Sequence, residues 1–511
     1  MAFEKILQEY NEKKIKALAM GSAAKLEQRK NDGILNARER ISYLVDQDSF
    51  IESGLFGTSS AVESDKEKTP ADGKITGYAK IDGRDVAVVS NDFTVKGASS
   101  SATNGKKIGQ MKRVATQRGL PIVFLGESSG ARMPDTMGSK GMGSMLGNDP
   151  TQYRRMRETP WASAVLGYCY GSSTWYTGYS DFSVMRKGAI MAVSSPQLVS
   201  LAIKEQVDPE EIGGWKLHSE TTGLIDRVVE TDEEALDAIK EFLSYMPAHH
   251  KQAPPVYPVP KDSGSQMTNI LDLLPEKRTQ VYDVRKVIQA IVDTGSYFEL
   301  KPRFGKVLVT ALTRLNGYSV GIIANNPLVK GGAMDTEACE KATNFIVMCD
   351  SFNIPIVMLV DTPGFIIGLD AERKRAPGKI INFMSAVSLT TVPKITVVLR
   401  KSYGQAYLNM GGGRNSDEFA AWPTAEISFM DPNFATSIVH GLNPGDDGYE
   451  AAVTEMAKGS NVWDIASMYA VQSVVLPSET RDYLIRMLEV HRMRLSNGVG
   501  EHLMRTWPTA Y

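Results

Sequence analysis

Apolar positions follow two rhythms along this chain. Short, nearly unbroken runs predict buried strands. The clearest is Ile356–Val360, β-branched at three of its five positions and closed by the turn-forming Asp361-Thr-Pro-Gly364. Longer stretches with helical spacing predict an amphipathic helix over residues 2–30, with Phe3, Ile6, Leu7 and Tyr10 on one side, and a second beginning at Ala37–Ile41. A basic-faced helix over Gly105–Arg118, an acidic one over Thr231–Tyr245 and a closing one over Glu479–Leu495 follow. Between Asp72 and Gly97 two strands alternate around an Asp82-Gly83 hairpin turn. The Gly- and Met-rich Pro134–Gln152 predicts a surface loop, and residues 251–268, with four prolines, an extended linker. Strands alternating with helices give an α/β protein, in which ligands bind beyond the carboxyl ends of the strands.

The pattern then repeats. Pro121-Ile-Val-Phe-Leu-Gly126 echoes Pro355-Ile-Val-Met-Leu-Val360, and Asp85–Gly97 echoes Ser319–Gly331, both at an offset of 234. Val45–Glu52 answers Val292–Glu299 at 247, and Tyr170-Gly171 answers Tyr403-Gly404 at 233. The difference of thirteen between the first two offsets places an insertion in the first half, around Thr58–Pro70. Ordered segments at nearly constant offset mean one fold used twice.

Composition narrows the class. The 511 residues carry a net charge of about −2, which gives no electrostatic case for nucleic acid or an anionic membrane surface. Cys169, Cys339 and Cys349 form no Cys-x-x-Cys, which argues against a zinc ribbon and a disulfide scaffold and suits a reducing compartment. No apolar run approaches the roughly 18 residues of a membrane span. Three glutamates between Ala2 and Glu12 argue against a targeting leader. The expectation is a cytoplasmic protein.

The usual catalytic side chains are missing. No two of the six histidines stand at metal-ligand spacing, and His249-His250, beside the linker, reads as solvated. No Gly-x-Ser-x-Gly, His-Glu-x-x-His or Walker sequence occurs, and Gly141-Met-Gly143-Ser-Met-Leu-Gly147 only grazes a dinucleotide fingerprint. Glycines at strand ends recur instead. They either offer backbone N–H groups to a developing oxyanion or simply permit tight turns.

Asn91-Asp-Phe-Thr-Val-Lys-Gly97, Ser129-Gly-Ala-Arg132, Asp361-Thr-Pro-Gly-Phe365 and Ala421-Trp-Pro-Thr-Ala425 resemble the carboxyltransferase subunits of biotin-dependent acyl-CoA carboxylases. Propionyl-CoA carboxylase β chains are the nearest type, with acyl-CoA decarboxylase α subunits close by. The resemblance runs from about Arg38 to the C-terminus. It implies two tandem crotonase-like domains of ββα superhelix character: residues 1–255 for the acyl-CoA and 256–511 for biotin. It implies transfer of a carboxyl group from carboxybiotin to the α-carbon of an acyl-CoA, with the cofactor itself as base and the protein supplying two oxyanion holes. By motif position the first hole is Gly171 and Ser172, and the second Gln405 and Ala406. Gly130, Ala131 and Arg132 would lie near the CoA, and Gly364 and Phe365 near biotin, with no metal. An internal salt bridge is the alternative for Arg132. Ring-shaped hexamers, trimers of dimers, are implied, together with biotin carboxylase and a biotin carboxyl carrier. Met111-Lys112-Arg113 only approaches the Met-Lys-Met of a biotinylation site, so biotin is expected on another polypeptide.

The chain departs from the family pattern where it matters. The family has Gly-Gly at the first hole and Gly-Gly-Ala at the second, where this chain has Gly171-Ser172 and Gly404-Gln405-Ala406. Trp175 replaces the more common Tyr, and Leu408 stands at an acyl-size position that is commonly Asp or Ile. These changes favour an acyl group larger or more hydrophobic than acetyl. A decarboxylase α subunit and a non-catalytic acyl-CoA-binding assembly subunit are the competing readings.

Overall fold

The apolar run after Pro355 forms the strand Ile356–Thr362, and its echo forms Ile122–Ser128; every residue of both is buried. A computed structural model describes residues 2–60, 63–145, 149–277 and 279–508. Both strands are flanked on each side by a parallel neighbour, and such strands are covered on both faces and read as continuous apolar runs.

The chain divides into two units, Met1–His250 with Pro508–Tyr511, and Lys251–Trp507. Each is built on one eight-stranded sheet with the same order. In the first unit the order is Ile51–Glu52, Lys74–Ile81, Arg84–Asn91, Ile122–Ser128, Trp161–Tyr170, Phe182–Arg186 and Arg227–Val229, with Ile190–Ala192 alongside the end of Trp161–Tyr170. In the second it is Phe298–Leu300, Leu308–Leu315, Tyr318–Asn325, Ile356–Thr362, Lys394–Tyr403, Glu418–Ala421 and Ser473–Val474, with Glu426–Ser428 beside Lys394–Tyr403. The first three strands of each sheet are antiparallel and the rest parallel.

The repeat extends to register and side chains. Glu52 pairs with Gly77 as Glu299 pairs with Ala311, so the thirteen extra residues lie between these strands, where Glu63–Lys68 and Pro70–Gly73 form short helical turns. Arg38 binds Glu52 at 2.8 Å and Arg285 binds Glu299 at 2.7 Å. Asp46 accepts the N–H groups of Asp82 and Gly83 at one hairpin, as Asp293 accepts those of Asn316 and Gly317 at the other. Each buried apolar side chain here contributes roughly 1.5–3 kcal/mol. The first sheet packs Val89, Phe124 and Trp161 against Ile108, Met111 and Ala115 of the helix Ala102–Arg118. That helix starts at Ala102 behind the Ser101 cap, three residues before the expected Gly105, and stops at left-handed Gly119 (φ 79°).

Other expectations need correction. The first helix is two, Ala2–Leu18 and Ala23–Asn31, because Gly21 docks on Thr94: its N–H reaches Thr94 Oγ1 at 3.0 Å, and an added Cβ would collide there. Phe3, Ile6, Leu7 and Tyr10 are exposed. The expected loop Pro134–Gln152 contains helices, Met133–Thr136 and Gly138–Met145, which approach so closely at Gly141 that a Cβ would lie 2.6 Å from Thr136 C. Gly147 lies outside the described residues. Residues 251–257 are a strap on the second unit, with Tyr257 N bonded to Gly317 O at 3.0 Å. His250 is buried rather than solvated, because its N–H is held by Glu158 O at 3.0 Å.

Candidate active site

In each unit the central parallel strand ends in a break of register, between Gly126 and Ser128 and between Val360 and Thr362. Such an irregularity re-aims a strand end. The chain then turns at Gly130 (φ 101°) or Gly364 (φ 124°), a backbone conformation that side chains disfavour. Ser128 Oγ accepts the Gly130 N–H at 3.1 Å, and Thr362 Oγ1 accepts that of Gly364 at 3.2 Å. The glycine carbonyls accept from Ser100 N (2.8 Å) and Met334 N (2.9 Å). Ala131 is thereby bridged to Ser100, and Phe365 to Met334.

The next strand closes the frame. Trp161–Tyr170 and Lys394–Tyr403 run into Gly171 (φ 62°, ψ −125°) and Gly404 (φ 61°, ψ −146°), which open the short helices Ser172–Gly178 and Gln405–Asn409. A Cβ on Gly171 would stand 3.7 Å from Gly130 Cα, and one on Gly364 would stand 3.8 Å from Tyr403 O. Two glycine turns therefore face each other in each unit. N–H groups in a first helical turn have no carbonyl acceptor one turn earlier, so this frame can serve a negative oxygen.

Of the residues expected in the first unit, Gly130, Ala131, Gly171 and Ser172 come together, and Trp175, whose N–H bonds Gly171 O at 3.2 Å, stands 41% exposed one turn on. In the second unit Gly364 and Phe365 face the turn carrying Gln405, buried Ala406 and half-buried Leu408. Trp175 and Leu408 occupy the same repeat position, at the offset of 233 seen for Tyr170 and Tyr403. On that frame Gln405-Ala406 matches Ser172-Ser173. The Gln405 amide lies against Met384 Sδ (3.1 Å) and Asn409 Oδ1 (3.4 Å).

The Arg132 guanidinium is buried. It pairs with Asp72 at 2.5 Å, while Nε and Nη2 bond Ser99 Oγ and O at 3.2 Å. Asp72 also accepts from Ser101 Oγ and from Asn104 N, so the inserted segment ties down the loop Ser99–Ser101. Beneath the frame, Glu127 takes Arg29 (3.0 Å) and Arg40 (2.5 Å), and Asp361, its repeat counterpart, takes Arg400 (2.8 Å). These partners escaped the sequence because they are distant along the chain.

Two buried lysines, Lys107 and Lys341, share one repeat position, at the offset of 234. Lys107 Nζ binds Ala71 O and Lys74 O, and Lys341 Nζ binds Lys301 O, Phe304 O and Leu308 O. Lys74 is buried too, and burial pushes its ammonium down to about 7; Nζ donates to Ala98 O at 2.7 Å. Burial pushes the Cys169 thiol up to about 12, which removes it as a nucleophile. Burial likewise lowers His218, whose ring is bonded to Met191 O at 2.6 Å. Among the described residues, no group of three or more His, Cys, Asp or Glu could hold a metal ion, and no helix is long and apolar enough to cross a membrane.

The family model for the carboxyl transferase domain matches residues 28–498. The chain is 35% identical over 510 residues to the carboxyltransferase subunit of propionyl-CoA carboxylase from Haloferax mediterranei, covering 96% of this chain and 98% of that one. It is 32% identical over 508 residues to methylmalonyl-CoA decarboxylase subunit alpha from Propionigenium modestum, covering 96% and 97%. Among solved structures, the hexameric transcarboxylase 12S with hydrolysed methylmalonyl-coenzyme A bound matches at a TM-score of 0.88 and 33% identity, covering 96% of both chains. The tandem sheets are thus the two-domain crotonase-like fold. With a match of this extent over paired glycine frames, the chain belongs to the carboxyl transferase domain family.

Proposed function

We propose that this chain is the carboxyltransferase subunit of a biotin-dependent acyl-CoA carboxylase, acting on the α-carbon of an acyl-CoA bulkier than acetyl-CoA. The observation that carries the reading is the duplicated frame of glycine turns, Gly130 against Gly171 and Gly364 against the Tyr403 carbonyl that precedes Gly404. Gly171 and Ser172 hold the thioester oxygen through their N–H groups as it gains charge, and Gln405 and Ala406 do the same for the ureido oxygen of biotin. Biotin, carried on a separate polypeptide, supplies the carboxyl group and the base when bound. The second unit suits it: Gly364 leaves a side free of Cβ, and half-buried Phe365 with exposed Ile367 offers an apolar wall. The Arg132 side chain is committed to Asp72, so it serves the CoA by fixing the loop Ser99–Ser101 and the Gly130–Ala131 turn. Trp175 and Leu408 set the acyl size.

The reading includes a cytoplasmic homo-hexamer, as in the transcarboxylase 12S structure, working with biotin carboxylase and carrier subunits. The similarity to the Propionigenium modestum α subunit favours a second direction, decarboxylation onto biotin. One experiment tests the core. The purified chain, given free biotin, should decarboxylate substituted malonyl-CoA thioesters in a biotin-dependent way. The bulkier acyl group should be preferred over malonyl-CoA by about 10- to 200-fold. No biotin-dependent decarboxylation would refute the function, and a preference for malonyl-CoA would refute the pocket assignment.

A further inference from the structure

Ser172 stands where the family pattern has glycine, and its hydroxyl meets Ser100 Oγ at 2.7 Å. Both partners are held by the frame. Ser100 N donates to Gly130 O and Ser100 O accepts from Arg132 N, while Ser172 follows Gly171, which faces Gly130. The contact therefore joins the two loops across the acyl side of the first unit.

Two hydroxyls carry two hydrogens, and a contact between them uses one. Neither Oγ has another hydrogen-bond partner among the described residues, and both residues are only half-buried. One O–H is left to point at a ligand. The second unit lacks this arrangement, because Met334 and Gln405 occupy the two positions and the Gln405 amide turns to Met384 and Asn409.

We propose that the Ser100–Ser172 hydroxyl pair is a further hydrogen-bond donor to the thioester oxygen of the acyl-CoA, with Ser172 donating and Ser100 orienting it. The inference rests on the assignment of the acyl-CoA to the first unit. No proton is transferred by either serine. As the α-proton leaves for biotin, the electron pair of the C–H bond moves into the enolate and negative charge gathers on the thioester oxygen. The serine O–H then becomes a charge-assisted bond, shorter and stronger than in the ground state. The Cβ that replaces family glycine thus brings a donor with it.

The test compares two probes on the full-length protein by calorimetry. S-propyl-CoA lacks the carbonyl, and a CoA thioether ending in a nitronate carries the enolate's charged oxygens. The variants are Ser172→Ala, Ser172→Gly, Ser172→Thr and Ser100→Ala, each checked for unchanged melting and oligomer size. Ser172→Ala and Ser172→Gly should weaken nitronate binding about 10-fold or more and lower kcat similarly, since removing one oxyanion donor costs about 10²–10³ at the strongest. S-propyl-CoA affinity should change by less than about 2-fold, because that probe has no carbonyl oxygen, and KM should change less than kcat, because the bond strengthens as charge gathers. Ser172→Thr keeps the hydroxyl and most of the nitronate affinity, and Ser100→Ala falls between. Unchanged nitronate affinity in Ser172→Ala and Ser172→Gly would overturn the inference alone, as would equal loss of both probes. A wild-type protein that binds neither probe would overturn the acyl-CoA assignment and the inference with it.

Discussion

Lys74→Leu, alone and with Ala98→Gly, tests whether a buried lysine shapes the first active-site loop. Ala98 sits at φ 47°, in the left-handed region, with its carbonyl bonded to Lys74 Nζ at 2.7 Å and to Ser128 Oγ at 3.2 Å. The second unit solves the same turn differently, with Gly332 (φ 82°) at the repeat position of Ala98 and Leu308 at that of Lys74. A glycine needs no cation to hold its carbonyl in that conformation. Losing a hydrogen bond from a charged donor costs about 1.5–3 kcal/mol, and relief of lysine desolvation returns part of it, leaving a net loss of about 1–2 kcal/mol. Left-handed Ala costs about 1–2 kcal/mol, and glycine gives back about 0.5–1 kcal/mol in chain entropy, so Ala98→Gly alone ranges from neutral to stabilising by about 1.5 kcal/mol. Lys74→Leu should therefore lower the first unit's melting temperature by about 2–8 °C, at roughly 2–4 °C per kcal/mol for a unit of this size. It should also cut turnover, because Ser99 and Ser100 follow Ala98 directly. The double variant should recover both, since it copies the pairing of the second unit. Circular-dichroism melting with steady-state turnover closes the cycle. A double variant equal to the sum of the two singles within about 0.5 kcal/mol would refute the coupling.

Arg132→Met leaves Asp72 buried without its cation and should cost about 3–5 kcal/mol in urea unfolding; unchanged stability with a raised KM would instead make Arg132 a direct CoA ligand. Gln405→Gly keeps the backbone donor, so turnover should persist, whereas Ala406→Pro deletes one and should lower turnover about 10²–10³-fold with oligomer size unchanged. Equal inactivation by Gln405→Gly and Gln405→Ala, both folded, would assign catalysis to the glutamine side chain. Burial pushes Lys341 down to about 7 from 10.5, so across that window the unfolded chain binds more protons and stability rises with pH. Lys341→Met should lessen this rise, seen as a denaturation midpoint that climbs less between pH 7 and 10 than in the wild type, the remainder coming from buried Lys74 and Lys107. It should also destabilise by about 3–5 kcal/mol, because three buried carbonyls lose their donor.

The sequence by itself determined the strands, the repeat and the glycine turns. Strands such as Ile122–Ser128 and Ile356–Thr362 are buried on both faces, so their pattern is local and unbroken. The positive φ of Gly130, Gly171, Gly364 and Gly404 likewise leaves a local mark, since only glycine adopts it without strain. The break at Met20–Ser22 was not legible, because docking on Thr94, 73 positions from Gly21, overrides a helical pattern. The partners of Arg132 and Ser172 were not legible either. Asp72 is 60 residues from Arg132, and Ser100 is 72 from Ser172. A polar side chain's type says what it can bond, but its partner is chosen by where separate loops cross. That crossing exists only once the sheet has closed around its core.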